Sequence, residues 1–292
     1  MKIKQRRVRS RLVVGLFTLF ACSALIAPSL ASARTGEYVS LGDSFTAGSG
    51  VLPTITDSVP LLCAQSGFNY PHRVQARIHY SSFRDVSCGG ATTDNLTGSQ
   101  SLSVGSNPPQ YDALKSTTTV VTMGMGGNDI GFGSIATSCI AALPLGHPCR
   151  DKYIISGVDT LADKINAAET KIASAIQGIH DRSPLARVVV AGYPAIMPSS
   201  GPGCWPVIPV APEDVSYLDG VERTLNAMIK RAAANNNATY VDVYTPSLGH
   251  DACKPWWTRW VEPLVPLGSY VPLHPNARGE TGMSLQFIKA LY

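Results

Sequence analysis

The sequence predicts an α/β fold: one parallel sheet of five strands with helices on both faces. Three observations predict it. Five short β-type runs are spread along the chain, at Glu37–Leu41, Arg84–Ser87, Thr118–Met123, Arg187–Ala191 and Thr239–Val243. The last three are rich in Val and Thr and poor in charge, which suits strands covered on both faces. Helical patterns separate the runs, and strands alternating with helices argue for parallel pairing. No internal repeat and no linker divides the 292 residues, so residues 34–292 read as a single domain.

Before the first strand the chain carries an export signal. Six positives stand in the first eleven residues: Lys2, Lys4, Arg6, Arg7, Arg9 and Arg11. An apolar run from Leu12 to Leu30 follows, and it ends in the small-x-small pattern Ala31-Ser32-Ala33. Residues 1–33 are therefore expected to be a signal peptide, with the mature chain starting near Arg34 in the extracellular space. Pro28 breaks the run and a cleavage site closes it, which argues against an uncleaved anchor. The bulky Phe20 argues against a lipoprotein box ending at Cys22. Removing the leader changes the net charge from +4 to about −2, since residues 1–33 hold six positives and no acid. The basic balance belongs to the leader and gives no argument for a nucleic-acid partner.

Seven cysteines are present and Cys22 leaves with the leader. An even remainder in an exported chain implies disulfides, and pairing neighbours along the sequence gives Cys63–Cys88, Cys139–Cys149 and Cys204–Cys253. No cysteine pair has the CxxC spacing and the six histidines are scattered, so no metal site is expected.

The helical patterns follow in order. The first is Tyr70–Tyr80. The clearest, Val158–Ile179, sets Val158, Leu161, Ile165, Ile172, Ile176 and Ile179 on one period. Glu213–Ala234 sets Val215, Leu218, Val221, Leu225 and Ile229 on one face, with Pro212 and Glu213 suited to its first turn. The last is Ala277–Leu291. Three long irregular stretches remain: Gly131–Cys149, Pro194–Pro212 and Pro246–Pro275. Long loops in a compact domain are usually lids or binding walls.

Chemistry gathers where the chain leaves the sheet. Gly42-Asp43-Ser44 follows the first strand, Gly89-Gly90-Ala91-Thr92-Thr93 the second and Gly126-Gly127-Asn128-Asp129 the third; His274-Pro275-Asn276 precedes the last helix. Open α/β sheets bind ligands at the carboxyl ends of their strands. A serine in a tight strand-to-helix turn presents its hydroxyl to that cleft, although Thr46 stands where the common Gly-x-Ser-x-Gly elbow has its second glycine. Alone, Asp43-Ser44 reads as a helix cap and Asn128 as a turn residue. His72, His79 and His180 fall on helical patterns, His147 in a cysteine-bounded loop and His250 beside Asp251. Only His274 combines a proline-restrained loop with a place after the last strand.

Together the four blocks resemble the GDSL/SGNH hydrolase family. The resemblance covers nearly the whole mature chain. The six-cysteine layout and the run Cys88-Gly89-Gly90-Ala91-Thr92-Thr93 look most like the secreted lipases and esterases of actinomycetes. The resemblance implies a flavodoxin-like three-layer α/β/α sandwich and a secreted ester hydrolase without a cofactor. It implies that Ser44 is the nucleophile and His274 the general base, with oxyanion donors from the Ser44 and Gly90 amides and the Asn128 side chain. Such preorganised donors are commonly the largest catalytic contribution in acyl transfer.

One departure bears on mechanism. Many members carry an Asp three residues before the histidine, where this chain has Val271. Imidazole still needs an acceptor at Nδ1. The Val271 carbonyl is the expected acceptor, giving a Ser–His dyad; Asp242, Asp251 and Glu262 are the competing acids.

The loop holding Trp256, Trp257, Trp260, Leu264, Val265 and Leu267 precedes His274. It reads either as an acyl-chain wall or lipid-facing surface, or as a satellite core pinned by Cys204–Cys253. Export and this apolar loop favour lipid or small ester substrates, transient contact with a lipid surface and a monomeric enzyme. A phospholipase A and a carbohydrate O-deacetylase are the alternatives within the family. A secreted binding module with a dead site is the alternative outside it, and the four intact blocks argue against that.

Overall fold

The computed structural model describes residues 34–265 and 271–292. The leader and Leu267 lie outside the described residues. Five strands form the central sheet: β1 (Arg34–Gly42), β2 (Tyr80–Asp85), β3 (Thr118–Gly124), β4 (Arg187–Ala191) and β5 (Thr239–Val241). Their order is β2-β1-β3-β4-β5, and every pair is parallel. This is the flavodoxin-like order, whose switch point lies between β1 and β3.

Alternation along the strands sorts the core into two layers, because successive side chains point to opposite faces. Val120, Val189 and Ala191 pack on one face with Tyr70, Val74 and Phe287. These come from helices α2 (Tyr70–Ile78) and α8 (Ala277–Leu291). Val121, Val188 and Val190 pack on the other with Ile172, Ile176 and Ile229. That face is covered by α5 (Thr160–Ala167), α6 (Glu169–Arg182) and α7 (Val215–Asn235). Among the described residues no helix is long and apolar enough to cross a membrane.

Several expected elements differ in outline: the first helix stops at Ile78, the last strand at Val241, and Val158 lies exposed in a short antiparallel pair ahead of its expected helix. β2 starts earlier, at Tyr80, because residues 80–85 pair with β1; beyond Asp85 the chain still donates from Val86 and Cys88 to Ser40 and Gly42. The long helical pattern divides into α5 and α6 at Ala168, while Ile165 and Ile172 keep one buried face across the break. Elsewhere Gly131–Cys149 contains a short helix, α3 (Phe132–Ser138), and α4 (Pro148–Tyr153) follows. Three bridges, Cys63–Cys88, Cys139–Cys149 and Cys204–Cys253, tie the loops.

Candidate active site

Ser44 opens the four-residue helix α1 (Ser44–Ala47) directly after β1. The turn is tight because its glycine is enclosed: a Cβ at Gly42 would come within 2.2 Å of Thr46 Oγ1 and 2.7 Å of the Gly124 carbonyl. Buried Gln110 grips the same residue, accepting from the Gly42 N–H at 2.8 Å and donating to its carbonyl at 2.9 Å. Asp43 caps α1 by accepting from the Phe45 N–H at 2.9 Å, and its other oxygen accepts from the Tyr193 hydroxyl at 2.6 Å. Burial pushes the Asp43 carboxyl up to about 7, against the pull of those two bonds.

Across the switch point, the loop after β3 is held to the same residues. The Gly127 N–H donates to Tyr193 Oη at 2.7 Å, so one phenol joins the serine turn to the Asn128 loop. Asn128 Nδ2 donates to the Ala91 carbonyl at 2.9 Å, which uses one of its two protons. Asp129 accepts from the Thr93 N–H and hydroxyl, stitching this loop to the Gly90 turn. Gly90 adopts φ +76°, open to glycine. Neither the Ser44 nor the Gly90 N–H has a hydrogen-bond acceptor among the described residues.

The imidazole arrives from the far end of the chain. His274 Nε2 lies 2.7 Å from Ser44 Oγ. The loop is fixed by an antiparallel bridge in which the Leu273 N–H donates to the Glu262 carbonyl and the Glu262 N–H to the His274 carbonyl. Behind it Asn276 Nδ2 donates to Glu262 Oε1 and the Arg259 carbonyl, each at 3.0 Å, while Arg259 pairs with Glu262 Oε2. Phe45 lies against the imidazole, ring centroids 4.7 Å apart. Burial lowers the His274 pKa below 6.5, and the bond to a backbone carbonyl opposes that shift.

That carbonyl corrects an expectation. His274 Nδ1 bonds to Pro272 O at 2.8 Å, in place of Val271 O. The cause is Leu273, whose φ of 58° puts it in the left-handed region and turns the preceding carbonyl toward the ring. The competing acids are engaged elsewhere. Asp242 accepts from Thr245 N–H, Asp251 from Cys253 N–H, and Glu262 from Asn276 and Arg259.

Ser44, Asn128 and His274 open on a cavity of about 150 Å³ with mainly apolar walls. Here a second expectation is corrected. Trp256 and Trp257 are more than half exposed, and Trp260 stacks on His250 and packs against Gly282 of α8. None of the three lines the cavity. Its walls are Ile130, Phe132 and Ile135 after β3, Ile196, Ile208 and Val210 after β4, and the inner face of α7; among the described residues of the tryptophan loop, Leu264 alone lines it. Sequence reasoning missed Gln110 and Tyr193. Tyr193 had a usable signal, because it stands just past the carboxyl end of β4.

Three of the other histidines have structural partners, while His147 Nδ1 is buried without a hydrogen-bond partner among the described residues. His72 bonds to Asn69, His180 to the Asn236 carbonyl and His250 to the Thr258 carbonyl. Among the described residues no group of three metal-ligating side chains is assembled.

Comparison with known proteins agrees with this geometry. The GDSL-like lipase/acylhydrolase family matches residues 40–281. Lipase 2 of Streptomyces coelicolor is 42% identical over 289 residues, covering 96% of this chain and 95% of its own. An esterase of Streptomyces scabiei is 30% identical, covering 92% and 90%. The crystal structure of a phospholipase A1 from Streptomyces albidoflavus superimposes with a TM-score of 0.72 at 25% identity, covering 88% of this chain and 99% of that one. With a serine and an imidazole in contact at the switch point of such a sheet, the chain belongs to the GDSL-like lipase/acylhydrolase family and is a carboxylic ester hydrolase.

Proposed function

We propose that the chain is an exported lipase that cleaves lipid esters with a Ser44–His274 dyad. The observation that carries the reading is the 2.7 Å contact between Ser44 Oγ and His274 Nε2 at the end of an apolar cavity. His274 takes the serine proton as Oγ attacks the ester carbonyl. The Ser44 and Gly90 amides and the second Asn128 proton receive the oxyanion. The imidazolium then protonates the departing alcohol, and water, deprotonated by the same nitrogen, frees the acid. Pro272 O accepts from Nδ1–H throughout and does the orienting work of the usual carboxylate.

The three bridges and the leader-like first 33 residues support export. Exposed Leu143, Leu145, Trp205 and Val207 stand on the loops whose other residues wall the cavity, which supports contact with a lipid surface. A phospholipase A is the second reading, favoured by the likeness to the Streptomyces phospholipase A1. An alkylphosphonate should label Ser44, and labelling should vanish in Ser44→Ala. Unlabelled native protein would refute the hydrolytic role of Ser44. Hydrolysis of triglyceride against phosphatidylcholine separates the two readings.

A further inference from the structure

Glu222 does not match the surface it occupies. It lies on the inner face of α7 with Leu218, Val221 and Leu225, and all four line the cavity. The residue is only 7% exposed. Its Oε2 accepts from the Ile196 N–H at 3.0 Å, which ties α7 to the loop after β4. Its Oε1 is buried and has no hydrogen-bond partner among the described residues. Among the described residues no cation pairs with it; the adjacent Arg223 is engaged by Asp219. Burial, reinforced by Asp219, pushes its pKa well above the usual carboxylate range and favours the neutral acid. Asp43, the other carboxyl in the cavity wall, has both oxygens bonded. Pinning Ile196 needs a single acceptor. It does not account for the second oxygen of a cavity-lining carboxyl left buried without a partner, which is costly.

We propose that Glu222 is a specificity-determining residue whose free carboxyl oxygen hydrogen-bonds a hydroxyl group carried along the substrate's acyl chain. The inference rests on the proposed lipase function and takes this mainly apolar cavity as the place of the acyl chain. A hydroxyl donates and accepts, so it pairs with either protonation state of the acid. Elsewhere in the cavity the same hydroxyl meets mainly apolar walls and loses its water without replacement. The signature is therefore positional. Hydroxylation lowers reactivity at most places along the chain and raises it where the group reaches Glu222.

The test measures kcat/KM for p-nitrophenyl esters of one chain length, unsubstituted and hydroxylated at successive carbons. In the native protein at least one hydroxylated ester should exceed the unsubstituted one, by about ten-fold. Glu222→Leu should abolish that advantage, and Glu222→Gln, which can still accept from Ile196 and bond a hydroxyl, should keep most of it. A native profile with no hydroxylated ester above the unsubstituted one overturns the proposal without any variant. So does an advantage that survives in a folded Glu222→Leu. Failure of the acyl-site reading itself would look different: kcat/KM for unsubstituted esters would depend neither on acyl-chain length nor on narrowing the cavity wall by Leu225→Trp.

Discussion

Each group of the proposed site is held by a hydrogen bond in its own turn or from the neighbouring loop. Asp43 caps the serine turn, Ala91 anchors the Asn128 amide, and Pro272 orients His274. In the proposed oxyanion hole, Asn128 is the side-chain donor that substitution can remove alone. Asn128→Ala should lower kcat by about 10²–10³-fold, or about 2.7–4 kcal/mol, with KM little changed. Steady-state kinetics on a soluble ester checks this. His274 sets the pH profile. Burial lowers its pKa below 6.5, and only the neutral ring accepts the serine proton. Activity should therefore be flat through neutrality and fall only below pH 6.5, as the ring protonates. An acidic limb centred above 6.5 in kcat/KM would contradict the assignment. The blocks holding Ser44, Gly90 and Asn128 follow strands and that holding His274 precedes the last helix, and their roles were expected from the family resemblance those blocks carry. The Pro272 carbonyl was not. It depends on the left-handed backbone of Leu273, a conformation that a leucine does not advertise.

Elements explain why a strained histidine loop stays in place. Leu273 is held left-handed by its N–H bond to the Glu262 carbonyl, and such strain persists only where surroundings over-determine it. Those surroundings are the bridge to Val261 and the buried Arg259–Glu262–Asn276 cluster, in which Asn276 also caps α8. Glu262→Ala would leave the Arg259 guanidinium buried without its carboxylate. The variant should lose about 3–5 kcal/mol of stability in urea titration. Its kcat should fall more than its KM rises, since the loop carries the base and little of the cavity wall. A stability unchanged within 1 kcal/mol would show that the pair is not buried as described. The apolar period of α7 was readable directly. The break between α5 and α6 was not, because Ile165 and Ile172 continue a single buried stripe across Ala168. The tryptophans misled for a related reason. Aromatic content predicts burial or contact but not which cavity is served, and Trp260 is spent on His250 and Gly282.

Across the whole molecule, strand composition alone leaves the order open, because the three Val- and Thr-rich strands are interchangeable as neighbours; the flavodoxin-like order was expected from the family resemblance. The order that forms places the serine and Asn128 turns on adjacent strands, and the loops after β3 and β4 close over them as one apolar body. Ala141 N–H donates to the Pro209 carbonyl at 2.7 Å, and Asp214 accepts from the Cys149 and Arg150 N–H groups. The Cys139–Cys149 and Cys204–Cys253 bridges fix each loop. Residues 139–150 and 200–211 contain no acid, and their exposed side chains include Ile140, Leu143, Leu145, Trp205 and Val207. Ile140 is half exposed and also lines the cavity, so this apolar surface is continuous with the proposed acyl site. A surface of that kind at a cavity mouth marks an interaction site. Leu143 and Leu145 are 64% and 69% exposed and lie outside the cavity wall, so replacing both with serine removes apolar surface without touching Ser44 or His274. The double variant should bind phospholipid vesicles more weakly and hydrolyse emulsified triglyceride several-fold more slowly. Its kcat/KM on a water-soluble short-chain ester should stay within two-fold of native. Equal losses on both substrates would place the effect in the active site, and no loss on either would remove this face from lipid contact.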